Sequence, residues 1–367
     1  MRSFGRSSET MRFCLVAVAL SVLAGCGSPP DENKIGKLEF YDWLEFQRGL
    51  YADAIDGGRE AANTRAQLEQ SIKFQVDRRY DSIVERAASE EDPKKRELAV
   101  CALGFSQRPE AVIHIESHLS DPLPHVRGTA AAAIGILRPP KAPFEKIEPL
   151  LTDQDAYCRQ GALFAIKLLG DGPRKPSKEG MARIEKIAVE DSDFSVRNEA
   201  VLALGRIKDP NTVDTLRKCL TDESVYVRSN AAMVLAGFGP LARTAVPALI
   251  ERLKDGETGV VERAHFALKA ITGRVDADPQ YGSWQDWMNE ISKVLEFVCP
   301  NHPEIKSESP GSCSKCGVTL EAHAKPEAEF ACPEHTDVVS RKPGTCFKCQ
   351  KELRPRKKED PKPDDQK

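Results

Sequence analysis

The stretch Asp191-Ser-Asp-Phe-Ser-Val196-Arg197-Asn-Glu-Ala200-Val-Leu-Ala-Leu204-Gly205-Arg-Ile207 decides how the middle of this chain folds. Val196, Ala200, Leu204 and Ile207 recur every three or four residues, which puts them on one face of a helix, and Asp191 or Ser192 is placed to cap its start. Gly205 is small where a neighbouring helix must approach. Asp209-Pro210-Asn211 breaks the chain, and Val213, Leu216 and Leu220 line a second helix. One such helix pair cannot bury its own apolar face, so it needs copies of itself on either side.

The copies are present at a period of 31 to 38 residues between positions 90 and 272. They read Glu90…Arg96…Ala99…Leu103-Gly104, Asp121…Arg127…Ala130…Ile134-Gly135, Asp153…Arg159…Ala162…Ile166 and Asp222…Arg228…Ala231…Leu235. Asp255 opens a sixth unit in which Val261 stands where the arginine should be. The acid and arginine six apart (Asp121 and Arg127, Asp153 and Arg159, Asp191 and Arg197, Asp222 and Arg228) are expected to form a charge-assisted ladder between successive turns, a structural role. These residues resemble HEAT repeats, in the short bacterial form shared with the phycocyanobilin-lyase-like family, over about half of the chain. The resemblance implies an all-α, right-handed α-solenoid that binds protein partners. Lyase activity does not follow from it, because the repeat is a scaffold. Residues from Thr272-Gly273 to Trp287-Met288 resemble the end of such arrays, so Trp284 and Trp287 are expected to plug the last repeat. Upstream, Phe40, Trp43, Leu44 and Leu50 suggest an amphipathic entry helix, continued by Arg65 to Val84.

Beyond the array one cysteine–histidine pattern occurs twice, 33 residues apart. The first copy is Cys299-Pro-Asn-His302, ten residues, then Cys313-Ser-Lys-Cys316; the second is Cys332-Pro-Glu-His335, ten residues, then Cys346-Phe-Lys-Cys349. Three sulfurs and one imidazole suit a tetrahedral, borderline-soft ion. Disulfides would use the cysteines but explain neither histidine. The pattern resembles the small heavy-metal-binding domain of bacterial efflux adaptors and P-type ATPases. The family methionines are replaced by Asn301 and Glu334 early and by Val318 and Lys351 late. Without thioether sulfur the set suits zinc better than Cu(I), so two zinc ions are the expected cofactors. Four protein ligands leave no open position for catalysis, and no enzyme is expected. Gln350 replaces the family glycine, which predicts strain in that knuckle.

The first 25 residues read as a lipoprotein signal. Arg2, Arg6 and Arg12 precede the apolar run Phe13 to Leu23, and Leu23-Ala24-Gly25-Cys26 resembles a lipobox, implying acylation of Cys26. The expectation is an extracytoplasmic protein tethered to a membrane of the cell envelope; Gly27 after the lipid site favours the outer membrane. Thirty per cent charged residues with a net charge of −3 leave no basic footprint for nucleic acid.

The expected organisation is signal 1–25, linker 26–36, capping helices 37–89, solenoid 90–295, metal module 296–321, linker 322–328, metal module 329–354 and a polar tail 355–367. His114 and His118, four apart, are read as ordinary helix residues, His265 as a packed core histidine, and His323 as linker. Cys101 and Cys158 are read as small buried hydrophobes, with Cys219 open. Three functions compete: a lipid-tethered interaction scaffold with two metal sites, a heavy-metal buffer or delivery protein, and, last, a bilin-lyase-like enzyme. The binding surface of a scaffold would be the inner face of the stack, with the partner unidentified.

Overall fold

The computed structural model describes residues 37–55, 59–307, 313, 315, 316, 318, 320–325, 329–335, 337–340 and 344–355. The signal segment, Cys26 and the 26–36 linker lie outside the described residues. The chain forms two compact units, one ending at Leu150 and the other beginning at Leu151.

The first unit is helical: α1 (Lys37–Ile55), α2 (Arg59–Asp77), α3 (Tyr80–Ser89), α4 (Pro93–Gly104), α5 (Ala111–Glu116), α6 (Pro124–Leu137) and the short α7 (Phe144–Ile147). Phe40, Leu44, Ile72, Ile83, Leu103, Ile115 and Ile134 form its core, each fully buried. The sequence pattern thus gives helix pairs whose apolar stripes face each other. Asp92 caps α4 by accepting from the Lys94 N–H at 3.0 Å. A Cβ at Gly104 would stand 2.8 Å from the Ala133 backbone, so only glycine allows α4 and α6 to pack this closely. The two histidines at helical spacing do not meet: His114 is exposed, whereas His118 is buried beside Asp121 at 3.8 Å.

The second unit continues the pairs with α8 (Ala156–Leu169), α9 (Lys178–Glu190), α10 (Phe194–Ile207), α11 (Val213–Cys219), α12 (Val225–Phe238), α13 (Val246–Arg252), α14 (Thr258–Thr272) and α15 (Tyr281–Val294). Cys158 and Cys219 are buried. Burial pushes the Cys219 thiol up to about 12, and it donates to the Ala188 carbonyl at 3.3 Å, so it behaves as an unreactive core group.

The arginine–aspartate ladder differs from the sequence expectation in one respect. Within a repeat, Arg197 reaches only the backbone carbonyl of Asp191, at 2.7 Å. The carboxylate comes from the next repeat: Arg197 donates to Asp222 at 2.7 and 2.9 Å. Arg159 does the same to Asp191 at 2.7 and 2.8 Å, and Arg228 to Asp255 at 2.9 Å. Each acceptor aspartate also takes a backbone N–H two residues on, as Asp222 does from Ser224 at 2.8 Å. One carboxylate therefore fixes its own turn and the preceding helix together. In the first unit Arg96 bonds Asp121 in the same way at 3.1 Å. Val261 takes the arginine position in the sixth unit, so the last rung is Arg228 to Asp255.

The array closes on α15. Trp284 is fully buried and donates its indole N–H to the Asp278 carbonyl at 2.8 Å, whereas Trp287 is only half-buried. Arg274 lies against both rings, 5.1 and 5.0 Å from their centroids, and the rings meet edge to face at 5.6 Å. His265 is half-buried, not a core residue: its Nε2 meets the Ala277 carbonyl at 2.9 Å and ties down the loop before α15.

Two three-stranded antiparallel sheets follow, with strands β1 (Leu295–Val298), β2 (Lys306–Ser307), β3 (Glu321–Ala324), β4 (Phe330–Ala331), β5 (Val339–Ser340) and β6 (Arg354–Pro355). Their orders are β2-β1-β3 and β5-β4-β6. The boundaries shift accordingly. Leu295 pairs with Ala324, so the first module starts one residue earlier and its last strand takes in His323, which sits opposite Glu296 and not in a linker. Pro355 pairs with Phe330 and belongs to the second sheet. Each module needs a third strand after its second knuckle, a requirement that ligand spacing does not reveal.

Candidate metal centres

Each sheet holds one quartet. The Cys299 and Cys332 backbones leave the central strands β1 and β4, and their N–H groups bond the Ile305 and Val338 carbonyls at 3.1 Å. The Ile305 and Val338 N–H groups return to the His302 and His335 carbonyls at 2.8 Å, which folds each histidine back toward its cysteine. The second pair of sulfurs arrives on tight turns. In the first, the Lys315 N–H points at Cys313 Sγ at 3.4 Å; in the second, the Gln350 N–H bonds the Cys346 carbonyl at 2.7 Å.

The resulting distances fit one ion per quartet. Cys299 Sγ lies 3.6 Å from Cys316 Sγ and 3.7 Å from His302 Nδ1, and Cys313 Sγ lies 3.6 Å from the same nitrogen. In the second, Cys332 Sγ is 3.6 Å from Cys349 Sγ and from His335 Nδ1, and Cys346 Sγ is 3.7 Å from that nitrogen. All four ligand atoms of each set lie within 4.8 Å of one another. A tetrahedral ion with metal–sulfur bonds of about 2.3 Å would separate two sulfurs by about 3.8 Å and sulfur from nitrogen by about 3.6 Å. A disulfide would bring two sulfurs to about 2.05 Å, which the observed spacing excludes.

The electrostatics favour a thiolate at one turn sulfur of each quartet, Cys313 and Cys346, whereas the Cys299 and Cys349 thiols are raised, Cys299 chiefly by burial and Cys349 by burial and the neighbouring Cys332 and Cys346 sulfurs. Burial raises the Cys313 thiol, but the Lys315 and Cys316 N–H groups and the neighbouring thiols outweigh it and bring it down to about 6. Cys346 is brought to about 7 in the same way by Cys349, Lys348 and Cys332. Such groups are prepared to bind a cation. The ligand cysteines are also core residues: Cys299, Cys313, Cys332 and Cys346 belong to one apolar cluster with Leu295, Phe297, Phe330 and Leu353. Cys316, by contrast, is exposed. Glu334, the acid between two ligands, is held by Lys351 at 2.6 Å.

Gln350 carries the strain expected of a non-glycine residue in this knuckle, with φ of +61°. Left-handed backbone costs an L-residue about 1 kcal/mol. Gln350→Gly is therefore expected to tighten metal binding in the second module about fivefold, read by competition with a chromophoric chelator.

The modules pack on the last helix around a cavity of about 60 Å³ lined by Trp287, Met288, Ile291, Phe330, Glu352 and Leu353, among others. Burial pushes the Glu352 carboxyl from 4.5 up to about 7, against the opposing pull of Arg274, Arg243 and Arg354. The folded state therefore binds the proton more tightly than the unfolded state, and stability falls as pH rises from 4.5 to 7. Glu352→Gln is expected to stabilise the protein by about 1 kcal/mol at pH 8 and hardly at all at pH 4, measured as thermal midpoints at the two pH values. No sequence signal marked Glu352 or Trp287 as junction residues.

Two family models match parts of this chain. The family model described as HEAT repeats matches residues 80–169 and 181–269, and that described as heavy metal binding domain matches residues 297–323. No curated protein matches the chain. Among solved structures, one engineered protein is similar at 22% identity with a TM-score of 0.41, covering 52% of this chain and 96% of its own. A second engineered protein is similar at 18% identity with a TM-score of 0.39, covering 78% of this chain and 77% of its own. Human deoxyhypusine hydroxylase in complex with glycerol is similar at 20% identity with a TM-score of 0.30, covering 72% of this chain and 91% of its own. The chain thus carries HEAT repeats and a heavy-metal-binding domain, with two Cys/His clusters able to hold metal ions.

Proposed function

We propose that this protein is a lipid-tethered interaction scaffold of the cell envelope, in which HEAT repeats bind a protein partner and two zinc ions stabilise the C-terminal modules. The observation that carries the zinc reading is the closure of each quartet. Four protein ligands occupy every tetrahedral position, and four of the six ligand sulfurs, those of Cys299, Cys313, Cys332 and Cys346, belong to core residues. Catalytic zinc keeps an open position for water, so these are structural sites and the protein acts by binding. Tethering follows from the lipobox resemblance at Cys26.

Elemental analysis of the purified protein tests the metal part. Two equivalents of zinc are expected, falling to one in Cys316→Ser and in Cys349→Ser. A protein purified under reducing conditions with no bound metal sinks this reading. Cys26→Ser is expected to move the protein from the membrane fraction to the soluble envelope fraction.

One observation supports a second reading, heavy-metal handling. Cys316 is exposed, and an accessible ligand thiolate permits metal exchange with another carrier. Exchange of isotopic zinc within seconds, with Cu(I) displacing it, favours handling; exchange over hours favours structure.

A further inference from the structure

The three helices that carry the ladder here, α8, α10 and α12, and the equivalent helix α14 of the next repeat show one feature that packing does not explain. Five residues after each ladder position stand Phe164, Leu202, Met233 and Phe266. On a helix this position points about opposite to the buried stripe of Val196, Ala200, Leu204 and Ile207. Solvent-facing centres of helices are ordinarily polar. Here all four are apolar: Phe164 and Leu202 are half-buried, Met233 is 41% exposed and Phe266 55% exposed, and Tyr226 at 53% adds to the same face two turns before Met233. The four helices lie side by side. Lys167 meets Glu199 at 2.8 Å, and Asn230 donates to Asn198 at 2.8 Å and accepts from Arg263 at 2.5 Å. The apolar side chains therefore form a continuous row, one per repeat.

The charge around the row is predominantly positive. The four helices contain two acids, Glu199 and Glu262, against seven bases. Glu199 is buried against Lys167, and the ladder arginines are matched by loop aspartates. That leaves Arg206, Arg263 and Lys269 beside the row against Glu262. Arg206 has only a loose contact of 3.8 Å with Asp171. This local excess of positive charge occurs in a chain of net charge −3.

Spacing selects the conformation of a ligand. Packed helices stand about 8–10 Å apart. A polyproline-II segment advances about 9.3 Å per three residues and returns its side chains to one face on each turn. Its backbone is free of internal hydrogen bonds, so amide side chains such as Asn198 can meet it. We propose that this face binds an extended acidic segment of a partner protein, with an apolar residue at every third position and acidic residues between. The inference rests on the scaffold reading above and specifies the chemistry of its ligand. A lipid surface is the less fitting occupant, because the row is one side chain wide and bordered by amides and Glu262.

The test uses the full chain in detergent and a fluorescent peptide, (Glu-Leu-Pro)4. Binding by anisotropy is expected to be at least tenfold tighter than for (Lys-Leu-Pro)4 or (Glu-Ser-Pro)4. Phe266→Asp and Met233→Asp, both at exposed positions that leave the fold intact, are expected to weaken it at least tenfold. Equal binding of the three peptides, indifference to both variants, or binding of anionic vesicles but of none of the peptides overturns the proposal. A photo-crosslinker at Met233 and, separately, at Lys186 on α9 separates this inference from the reading beneath it. Links to envelope proteins at Met233 that the peptide displaces agree with it. Links at Lys186 alone leave the scaffold standing and overturn this face, and no link at either overturns both.

Discussion

Removing the metal from a reduced sample with a strong chelator is expected to unfold residues 295–355 while the helical circular dichroism of the repeats persists. The six strands there hold only two to four residues each. Sheets this small bury too little apolar surface to offset the entropy of ordering them. Their shared core draws on ligand sulfurs as packing atoms, with Cys299, Cys313, Cys332 and Cys346 among its ten buried residues. A structural zinc ion supplies about 10–16 kcal/mol at pH 7, which is ample to make the difference. Hydrogen exchange checks the outcome: amides of Cys299, Ile305, Cys332 and Val338 should lose protection on chelation, and those of α10 and α12 should keep it. Because one core cluster contains ligands of both modules, Cys332→Ser is also expected to loosen the first quartet and speed its zinc loss. Protected β1 and β4 amides in metal-free protein would show that the sheets stand without the ion.

Much of this was open to reading in the sequence, for identifiable reasons. A repeat announces itself because each copy must solve the same packing problem, so Val196, Ala200 and Leu204 recur as Val227, Ala231 and Leu235. Gly205 was legible as a close approach, and a Cβ there would indeed stand 2.8 Å from Val234. The quartets were legible because ligand spacing within a knuckle is local. What was hidden involves partners distant in sequence. The Asp–Arg spacing of six is intrarepeat, yet the carboxylate that matters is 25 to 32 residues away. The strand holding His323 depends on pairing with Leu295–Val298, and no local signal marks it. Trp287 read as a core plug, but only Trp284 is enclosed; the half-buried Trp287 packs edge-on against Trp284 and lines the cavity that Phe297, Phe330 and Leu353 also line.

The ladder offers the sharpest test of the helical array. Arg197→Ala is expected to cost about 4 kcal/mol, because it strands the Asp222 carboxylate in a buried position. The two side chains are only 6% and 7% exposed, and Asp222 cannot turn away while it accepts the Ser224 N–H. Arg206→Ala, on an exposed side chain of the same helix, is the control and should stay within about 0.5 kcal/mol of the parent. If the cost comes from an unpaired charge and not from lost packing, Asp222→Asn should restore part of it. The asparagine keeps the cap but removes the charge, so the double variant should lose less than the sum of the singles. Acid probes the same bond from the other side. Hydrogen bonds from Arg228 hold Asp255 below its usual 3.8. A depressed carboxylate contributes its stability in full above the unfolded value and loses it as pH falls through the folded one. Unfolding should therefore steepen below about pH 4, and Arg228→Met should flatten that acid limb while lowering stability at pH 7. Urea titrations of the five variants decide the matter: an Arg197→Ala midpoint equal to that of Arg206→Ala would reduce the ladder to a surface ornament.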